Sequence, residues 1–277
     1  MKILVPVDFY QSSFSAYSYA CHLSKELDAE LTLLHVIPHG LTTKIEDFDP
    51  NNSLETNAAA KLEYFTKQYP SELGVFIPKV DTILQSTFGS PAPSILLYAD
   101  QKDVDLIIMG TRDKHNIFDR ILGSTSSSVI DRSECPVMLI HENTKYNKPN
   151  HIAFAYDDHG DLEDAIDDFD SINSRLQAKT DFIHIYKDNM EDLSSQNQTI
   201  LDELFDGKNP KYSFEIKAVQ GSDVQTSLMD YCLFNKIDIL TMMHRKKGFL
   251  NKLFSSSDSI SMAHKFHLPV LVFNEDS

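Results

Sequence analysis

The chain has 277 residues, of which 42% are hydrophobic, a composition typical of globular proteins and a length that suits two domains. Its 41 acidic and 25 basic residues give a formal net charge of −16, which argues against binding to nucleic acid or to an anionic membrane. The 3 widely spaced cysteines indicate reduced core thiols, and we find no leader peptide and no apolar run of the ~20 residues that a membrane span needs. These features predict a cytoplasmic protein.

Short apolar runs alternate with segments of helical spacing through the first half of the chain. Strands are predicted at residues 3–7, 31–37, 75–84, 105–109 and 136–140, and helices at residues 14–27, 54–69, 93–99 and 126–132. The predicted strands are too uniformly apolar to have one face in water. The pattern therefore indicates a parallel sheet covered by helices on both sides.

The second half repeats this pattern after the polar segment 143–150, which is predicted to be a linker between two domains. Strands are predicted at residues 151–155, 181–186, 237–242 and 269–273, with a helix at 162–176. Pro136 and Pro269 each stand just before a β-branched final strand, which is the strongest marker of an internal duplication. The sequence thus predicts an α/β protein of two tandem doubly wound, Rossmann-like domains, at residues 1–142 and 151–277, each with a five-stranded, mostly parallel sheet.

In an open parallel sheet, ligands bind beyond the carboxyl ends of the strands, where the strand order reverses. This rule points to the loops after Val7, Val36 and Met109. Gly110 follows Met109 and has no Cβ, so backbone amides there can approach a ligand closely. The residues 123–125, a glycine, a serine and a threonine, open a helix whose free amides and dipole favour phosphate.

The segment MGTRDKHNIFDRILGSTSSSVIDRSECPVMLI resembles the universal stress protein signature G-x-x-G-x9-G-[ST], and ILVPVDF and LLHVI are similar to that family as well. The resemblance covers the first half and extends more weakly over the second. It implies that Asp8 contacts the adenosine of ATP, that Val36 lies against the base, and that the glycines hold ribose and phosphates. The expected binding residues are Pro6, Val7, Asp8, Val36, Met109, Gly110, Arg112, Asp113, Gly123, Ser124 and Thr125.

One position departs from the signature, because Asp113 stands where the second glycine is expected. A carboxylate there adds a Cβ to a tight turn and a negative charge near the phosphates, unless Arg112 or a cation such as Mg²⁺ offsets it. We favour ATP binding by the first domain. The alternative is a loop that is kept for folding and binds no ligand.

The second half departs much further from the signature. A gapless alignment puts Met242 at the first glycine, Arg245 at the second and three serines, 255–257, at Gly-Ser-Thr. An acid remains after the first strand, at position 157 or 158. Basic side chains between 245 and 252 could bind an anion, but a solvated basic loop is the favoured interpretation. No cofactor is expected there.

These features together predict a cytoplasmic stress-response regulator that binds ATP or a related adenine nucleotide and acts on an unidentified protein partner. The alternatives are a slow Mg²⁺-dependent ATPase, for which no water-positioning residue is evident, and a nucleotide-free scaffold or chaperone-like protein. No catalytic residue and no metal site are predicted. His264 and His267 have metal-ligand spacing but no third ligand nearby in the sequence.

The resemblance also implies a mode of assembly, since single-domain members of the family dimerise through their last strand. An apolar final strand left open at a sheet edge would pair with other chains. We therefore expect the two halves to form an internal pseudo-dimer, with Val137 and Leu139 facing Val270 and Val272. Pairing of whole chains into a homodimer stays open.

Overall fold

A computed structural model describes residues 1–38, 54–111, 124–156, 163–186, 210–244 and 268–274. The described residues divide into two compact units, the first ending at Tyr146 and the second beginning at Asn147. The predicted α/β class with two tandem domains is confirmed. No helix in the described ranges combines the length and apolar character that crossing a membrane requires.

The first unit alternates strands and helices. Its elements are β1 Lys2–Pro6, α1 Gln11–Leu27, β2 Glu30–Ile37, α2 Leu54–Lys67, α3 Tyr69–Glu72, β3 Thr82–Phe88, α4 Pro91–Lys102, β4 Leu106–Thr111, α5 Ser124–Ile130 and β5 Val137–His141. The strands are parallel, in the order β3-β2-β1-β4-β5. The chain moves outward from β1 to β3 and then crosses back to β4, so the strand order reverses between β1 and β4.

The third strand lies further along the chain than predicted. The sequence placed it at residues 75–84, whereas β3 is Thr82–Phe88. The prediction followed the apolar residues around Phe76. These residues are not all buried, since the Phe76 side chain is 81% exposed. β3 itself ends the sheet order of its unit and is only partly buried, so its polar residues are tolerated there and its sequence lacks a clear apolar run.

The second unit repeats the arrangement. Its elements are β6 His151–Tyr156, α6 Glu163–Leu176, β7 Lys179–Tyr186, β8 Phe214–Gln220, α7 Val224–Phe234, β9 Ile239–His244 and β10 Val270–Asn274. The strands are again parallel, in the order β10-β9-β6-β7-β8. The sequence analysis predicted neither β8 nor α7. β8 is another partly buried strand with few strongly apolar residues, so it lacks the apolar run by which strands were recognised.

A shared aspartate supports the internal duplication. Asp105 precedes β4, and its carboxylate accepts a hydrogen bond from the backbone N–H of Lys2 at 2.6 Å. Asp238 precedes β9, and its carboxylate accepts one from the N–H of His151 at 3.0 Å. The N–H of each aspartate donates back to the carbonyl oxygen of the same residue. Each unit therefore fixes its first strand to its fourth by the same reciprocal pair of bonds.

The strand register corrects the gapless alignment of the two halves. Gly110 of β4 pairs with Ile140, the fourth residue after Pro136. In the second unit the fourth residue after Pro269 is Phe273, which pairs with Met243. Met243, and not Met242, therefore stands where the first unit has its glycine. The side chain of Met243 is buried. The second unit therefore has a buried side chain at the position where the first unit has none.

The division between the units falls inside the segment predicted as a linker. Tyr146 belongs to the first unit, and its ring stacks on His22 with centroids 4.8 Å apart and packs edge-on against Tyr19. Both of these partners lie on α1. Residues up to Tyr146 are thus anchored to the first unit by aromatic contacts.

The three cysteines are free. Cys21 lies on α1 and Cys232 on α7, and burial raises the pKa of both thiols to about 12. Thiols with such a high pKa carry almost no thiolate at neutral pH. Cys21 and Cys232 are therefore unreactive core residues, as the sequence predicted for them.

Candidate functional site

The carboxyl ends of β1, β2 and β4 lie at the point where the strand order reverses. The N–H of Val7 donates to the carbonyl oxygen of Leu34 at 2.9 Å, which extends the pairing of β1 and β2 by one residue. The side chains of Val7, Val36 and Met109 are all less than a tenth exposed, and Pro6 is half-buried. The carboxyl ends of these three strands are therefore lined by apolar side chains.

The turn after β1 carries the exposed Asp8. Its Oδ1 accepts a hydrogen bond from the N–H of Tyr10 at 3.2 Å, which ties the carboxylate to the turn. Phe9, between these residues, has a φ of 64°, a conformation that is uncommon for a bulky residue. Helix α1 then begins at Gln11 with no side-chain hydrogen bond from Tyr10 as its cap and no acid in its first turn. The positive end of the helix dipole is thus not offset within that turn.

Gly110 lies directly beneath the start of α1. A Cβ on Gly110 would lie 2.1 Å from the carbonyl oxygen of Ser12 and 2.8 Å from the backbone nitrogen of Ser13. Glycine is therefore required for the close packing of β4 against the first turn of α1. This packing role was not anticipated from the sequence, which associated the missing side chain with the approach of a ligand.

His35 and Phe9 were missed by the sequence analysis. The Nδ1 of His35 lies 2.8 Å from the carbonyl oxygen of Val7, so this nitrogen is the donor and carries the hydrogen. The ring of Phe9 lies against the His35 ring with centroids 4.5 Å apart. Together they connect the ends of β1 and β2 beside Asp8. The sequence feature that could have pointed to His35 is a histidine inside an otherwise apolar predicted strand.

An aromatic groove lies next to this turn. It has a volume of about 480 Å³ and is lined by Phe9, Asn57, Ala60, Lys61, Tyr64, Phe65 and Tyr69. The hydroxyl of Tyr64 donates to Glu72 Oε2 at 2.5 Å, a bond that raises the pKa of Tyr64. The Phe9 ring is shared between the groove and the contact with His35, so the groove borders the candidate site.

The predicted residues after β4 are only partly within the described ranges. Ser124 and Thr125 begin α5, with Ser124 exposed and Thr125 half-buried. Arg112, Asp113 and Gly123 lie outside the described residues, as do the acids at 157 and 158 and the segment from 245 to 267 in the second unit. The structure therefore brings Pro6, Val7, Asp8, Val36, Met109 and Gly110 to one edge.

The described parts of the chain hold no group of three or more His, Cys, Asp or Glu side chains that could bind a metal ion. Asp8 lies exposed at this edge.

A parallel sheet whose strand order reverses beside the candidate site defines a Rossmann-like α/β protein. The model of the universal stress protein family matches residues 1–141 of the chain. The chain therefore belongs to the universal stress protein family.

Curated relatives match the chain over about half its length. Universal stress protein YxiE of Bacillus subtilis (strain 168) is 33% identical over 150 residues, which are 50% of this chain and 97% of that protein. Universal stress protein MJ0531 of Methanocaldococcus jannaschii is 30% identical over 148 residues, which are 52% of this chain and 84% of that protein. Relatives of half the length are consistent with two tandem domains.

A solved structure matches the whole chain. The crystal structure of a universal stress protein from Archaeoglobus fulgidus has a TM-score of 0.65 and 18% sequence identity, and the match covers 99% of this chain and 96% of that one. At this identity the similarity supports the fold alone.

Proposed function

We propose that the first unit binds an adenine nucleotide, ATP or a close relative, at the carboxyl ends of β1, β2 and β4. The observation that carries the proposal is the placement of Asp8, Val36 and Gly110 at the edge where the strand order reverses, in a chain of this family. We further propose that the nucleotide regulates how this cytoplasmic stress-response protein binds a protein partner.

Each part of the edge suits a different part of the nucleotide. The buried side chains of Val7, Val36 and Met109 offer an apolar surface for the flat base. The exposed carboxylate of Asp8 can accept hydrogen bonds from ribose hydroxyls. The phosphates would then extend towards the loop after β4 and the segment 123–125.

A slow ATPase and a nucleotide-free scaffold are the rival functions. Nucleotide carried through purification is measured by absorbance and mass spectrometry of the denatured protein. Its presence supports either nucleotide-binding function, and its absence after incubation with ATP supports the scaffold. Turnover of ATP with and without Mg²⁺ then separates the other two, because a regulator is expected to show no hydrolysis above background.

Replacing Asp113 by glycine is expected to tighten nucleotide binding. The substitution removes a negative charge and a Cβ from the signature position where the family has glycine. We expect a gain of about 1 kcal/mol, or roughly fivefold in Kd, measured by titration calorimetry. Asp119→Gly, which changes the same charge outside the signature positions, is the control. Equal or weaker binding by Asp113→Gly would show that the carboxylate takes part in the site.

Residues 1–146 expressed alone are expected to self-associate. In the sheet order of the first unit, β5 has β4 on one side and is the last strand. Its apolar residues Val137 and Leu139 would leave an open edge that a second copy can pair with. Sedimentation over a range of concentrations tests this. A fragment that stays monomeric throughout would contradict the predicted pseudo-dimer.

A further inference from the structure

One face of α2 is exposed and lines the aromatic groove. The four residues of this face stand at positions i, i+3, i+4 and i+7 of the helix, which are Asn57, Ala60, Lys61 and Tyr64. All four residues are exposed. Leu62, on another face of α2, is buried in the core of the first unit. The helix therefore packs on the unit with one face and presents a second face to the groove.

The aromatic walls of the groove are fixed by contacts with one another and with α3. The Tyr64 hydroxyl donates to Glu72, and the Phe65 and Tyr69 rings stack with centroids 6.0 Å apart. Phe9 packs edge-on against Phe65 with centroids 5.7 Å apart, in spite of a φ of 64° that is uncommon for a bulky residue. Walls that are fixed before a ligand arrives reduce the entropy cost of binding.

The groove has the size and the lining of a small-molecule site. Its volume of about 480 Å³ lies within the range of about 300–1,000 Å³ that such sites occupy. Four of the lining residues are aromatic, and aromatic side chains bind a flat ring by offset stacking or edge-to-face contact. Ala60 contributes only a methyl group, so it takes little of the volume. The lining therefore favours a planar aromatic ligand.

The charge at the groove is positive. Lys61 is the one charged side chain among the described residues that line it. Two carboxylates of α2 and α3 are engaged elsewhere, since Glu63 pairs with Lys67 at 2.7 Å and Glu72 accepts from Tyr64. Within the described ranges, no carboxylate forms an ion pair with Lys61. An ammonium group at this place repels a cationic ligand and attracts an anionic one.

Asn57 gives the groove a second hydrogen-bond donor beside Lys61. The two residues are four apart on one helical face, so their Cβ atoms are about 5–6 Å apart. A carboxylate has two oxygens, each of which can accept hydrogen bonds. One oxygen can accept from the Lys61 ammonium and the other from the Asn57 side-chain amide. A single ammonium balances a single negative charge, which favours a monocarboxylate over a polyphosphate.

We propose that the aromatic groove is a second binding site in the first unit, for a planar aromatic monocarboxylate. The aromatic rings of the groove contact the flat body of the ligand, and Lys61 and Asn57 bind its carboxylate. The groove shares Phe9 with the edge proposed for the nucleotide, but neither Asp8 nor Val36 lines it. The proposal therefore does not depend on nucleotide binding.

Titration calorimetry of the full chain with 2-naphthoate tests the proposal. This probe has two fused rings and one carboxylate, and it is expected to bind with a Kd of about 1 mM or lower. The matched probe 2-naphthamide has the same rings without the charge and should bind about threefold or more weakly by comparison. Absence of saturable 2-naphthoate binding would overturn the proposal, as would equal affinity for the two probes.

Two pairs of variants locate the site on α2. Lys61→Gln should remove the preference for 2-naphthoate over 2-naphthamide, whereas Lys67→Gln, at an exposed lysine of the same helix outside the groove, should retain it. Ala60→Leu should weaken the binding of both probes about tenfold or more, because the larger side chain occupies ligand space. Ala59→Leu changes an exposed alanine outside the groove and is the control. A wild-type preference in Lys61→Gln, or wild-type affinity in Ala60→Leu, would contradict the proposed site.

Two measurements on the unmodified chain do not depend on whether the variants fold. Ring currents of bound 2-naphthoate should shift the aromatic proton resonances of Tyr64 and Tyr69, whereas those of Tyr98 on α4, which does not line the groove, should not move. Unshifted Tyr64 and Tyr69 resonances would overturn the proposal. Binding of 2-naphthoate should also persist in excess ATP, and displacement by ATP would overturn a separate site. Failure of nucleotide binding would leave both expected results unchanged.

Discussion

Replacing Gly123 by valine is expected to abolish nucleotide binding while the chain still folds. In the proposed site the backbone amides at residues 123–125 would hold the phosphates, and a branched side chain at Gly123 would occupy the space that the phosphates need. A hydrogen bond to a charged group contributes about 1.5–3 kcal/mol, so the loss of two should weaken binding about 100-fold or more. The ATP-induced rise in Tm of the full chain measures this.

Ser256→Val is the matched control in the second domain, at the position that aligns with Gly123 when Gly110 is aligned with Met243 and Pro136 with Pro269. We expect it to leave the ATP-induced shift in Tm unchanged, since no cofactor is expected in that half. If Gly123→Val keeps the wild-type shift, the phosphate site has been misplaced. Loss of the shift in Ser256→Val would mean that the second domain takes part in binding.

Replacing Gly110 by alanine is expected to destabilise the first unit by about 3 kcal/mol or more. The added Cβ would lie 2.1 Å from the oxygen and 2.3 Å from the carbonyl carbon of Ser12. Both atoms are backbone of the first turn of α1, so relief requires the helix to move away from β4. Urea unfolding of the full chain, with hydrogen exchange to follow the first unit, measures the loss.

Gly74→Ala is the reference for this prediction. An added Cβ there meets nothing within 4 Å, although Gly74 has a φ of 65°. Alanine at such a φ is expected to cost about 1 kcal/mol through backbone strain alone. A cost at Gly110 no greater than that at Gly74 would contradict the close packing of β4 under α1.

The central strands could be predicted because burial on both faces makes them uniformly apolar. β1, β2 and β4 were each located within one or two residues in this way. The outer strands β3 and β8 could not be located, because partial burial allows polar residues and removes the apolar run. The opposite error occurred at Phe76, whose side chain is exposed. An apolar run in the sequence need not be buried, so it need not be a strand.

The positions of the strand ends could be predicted because one rule fixes them, whereas features that depend on tertiary contacts could not. The switch-point rule located the ends of β1, β2 and β4 from the strand order alone. In contrast, the reason for Gly110 depends on the distance to Ser12, and the aromatic groove depends on the packing of Phe9 against α2. The helical spacing of Lys61 and Tyr64 was a visible signal, but the sequence does not identify the rings that meet this face.

Titration calorimetry of ATP into the full chain tests the central claim most directly. If the first unit is the nucleotide site, the titration should give saturable binding of one ATP per chain, and Gly123→Val should remove the heat of binding. Absence of saturable binding by the wild-type chain would contradict the proposed function, as would binding of two equivalent nucleotides per chain.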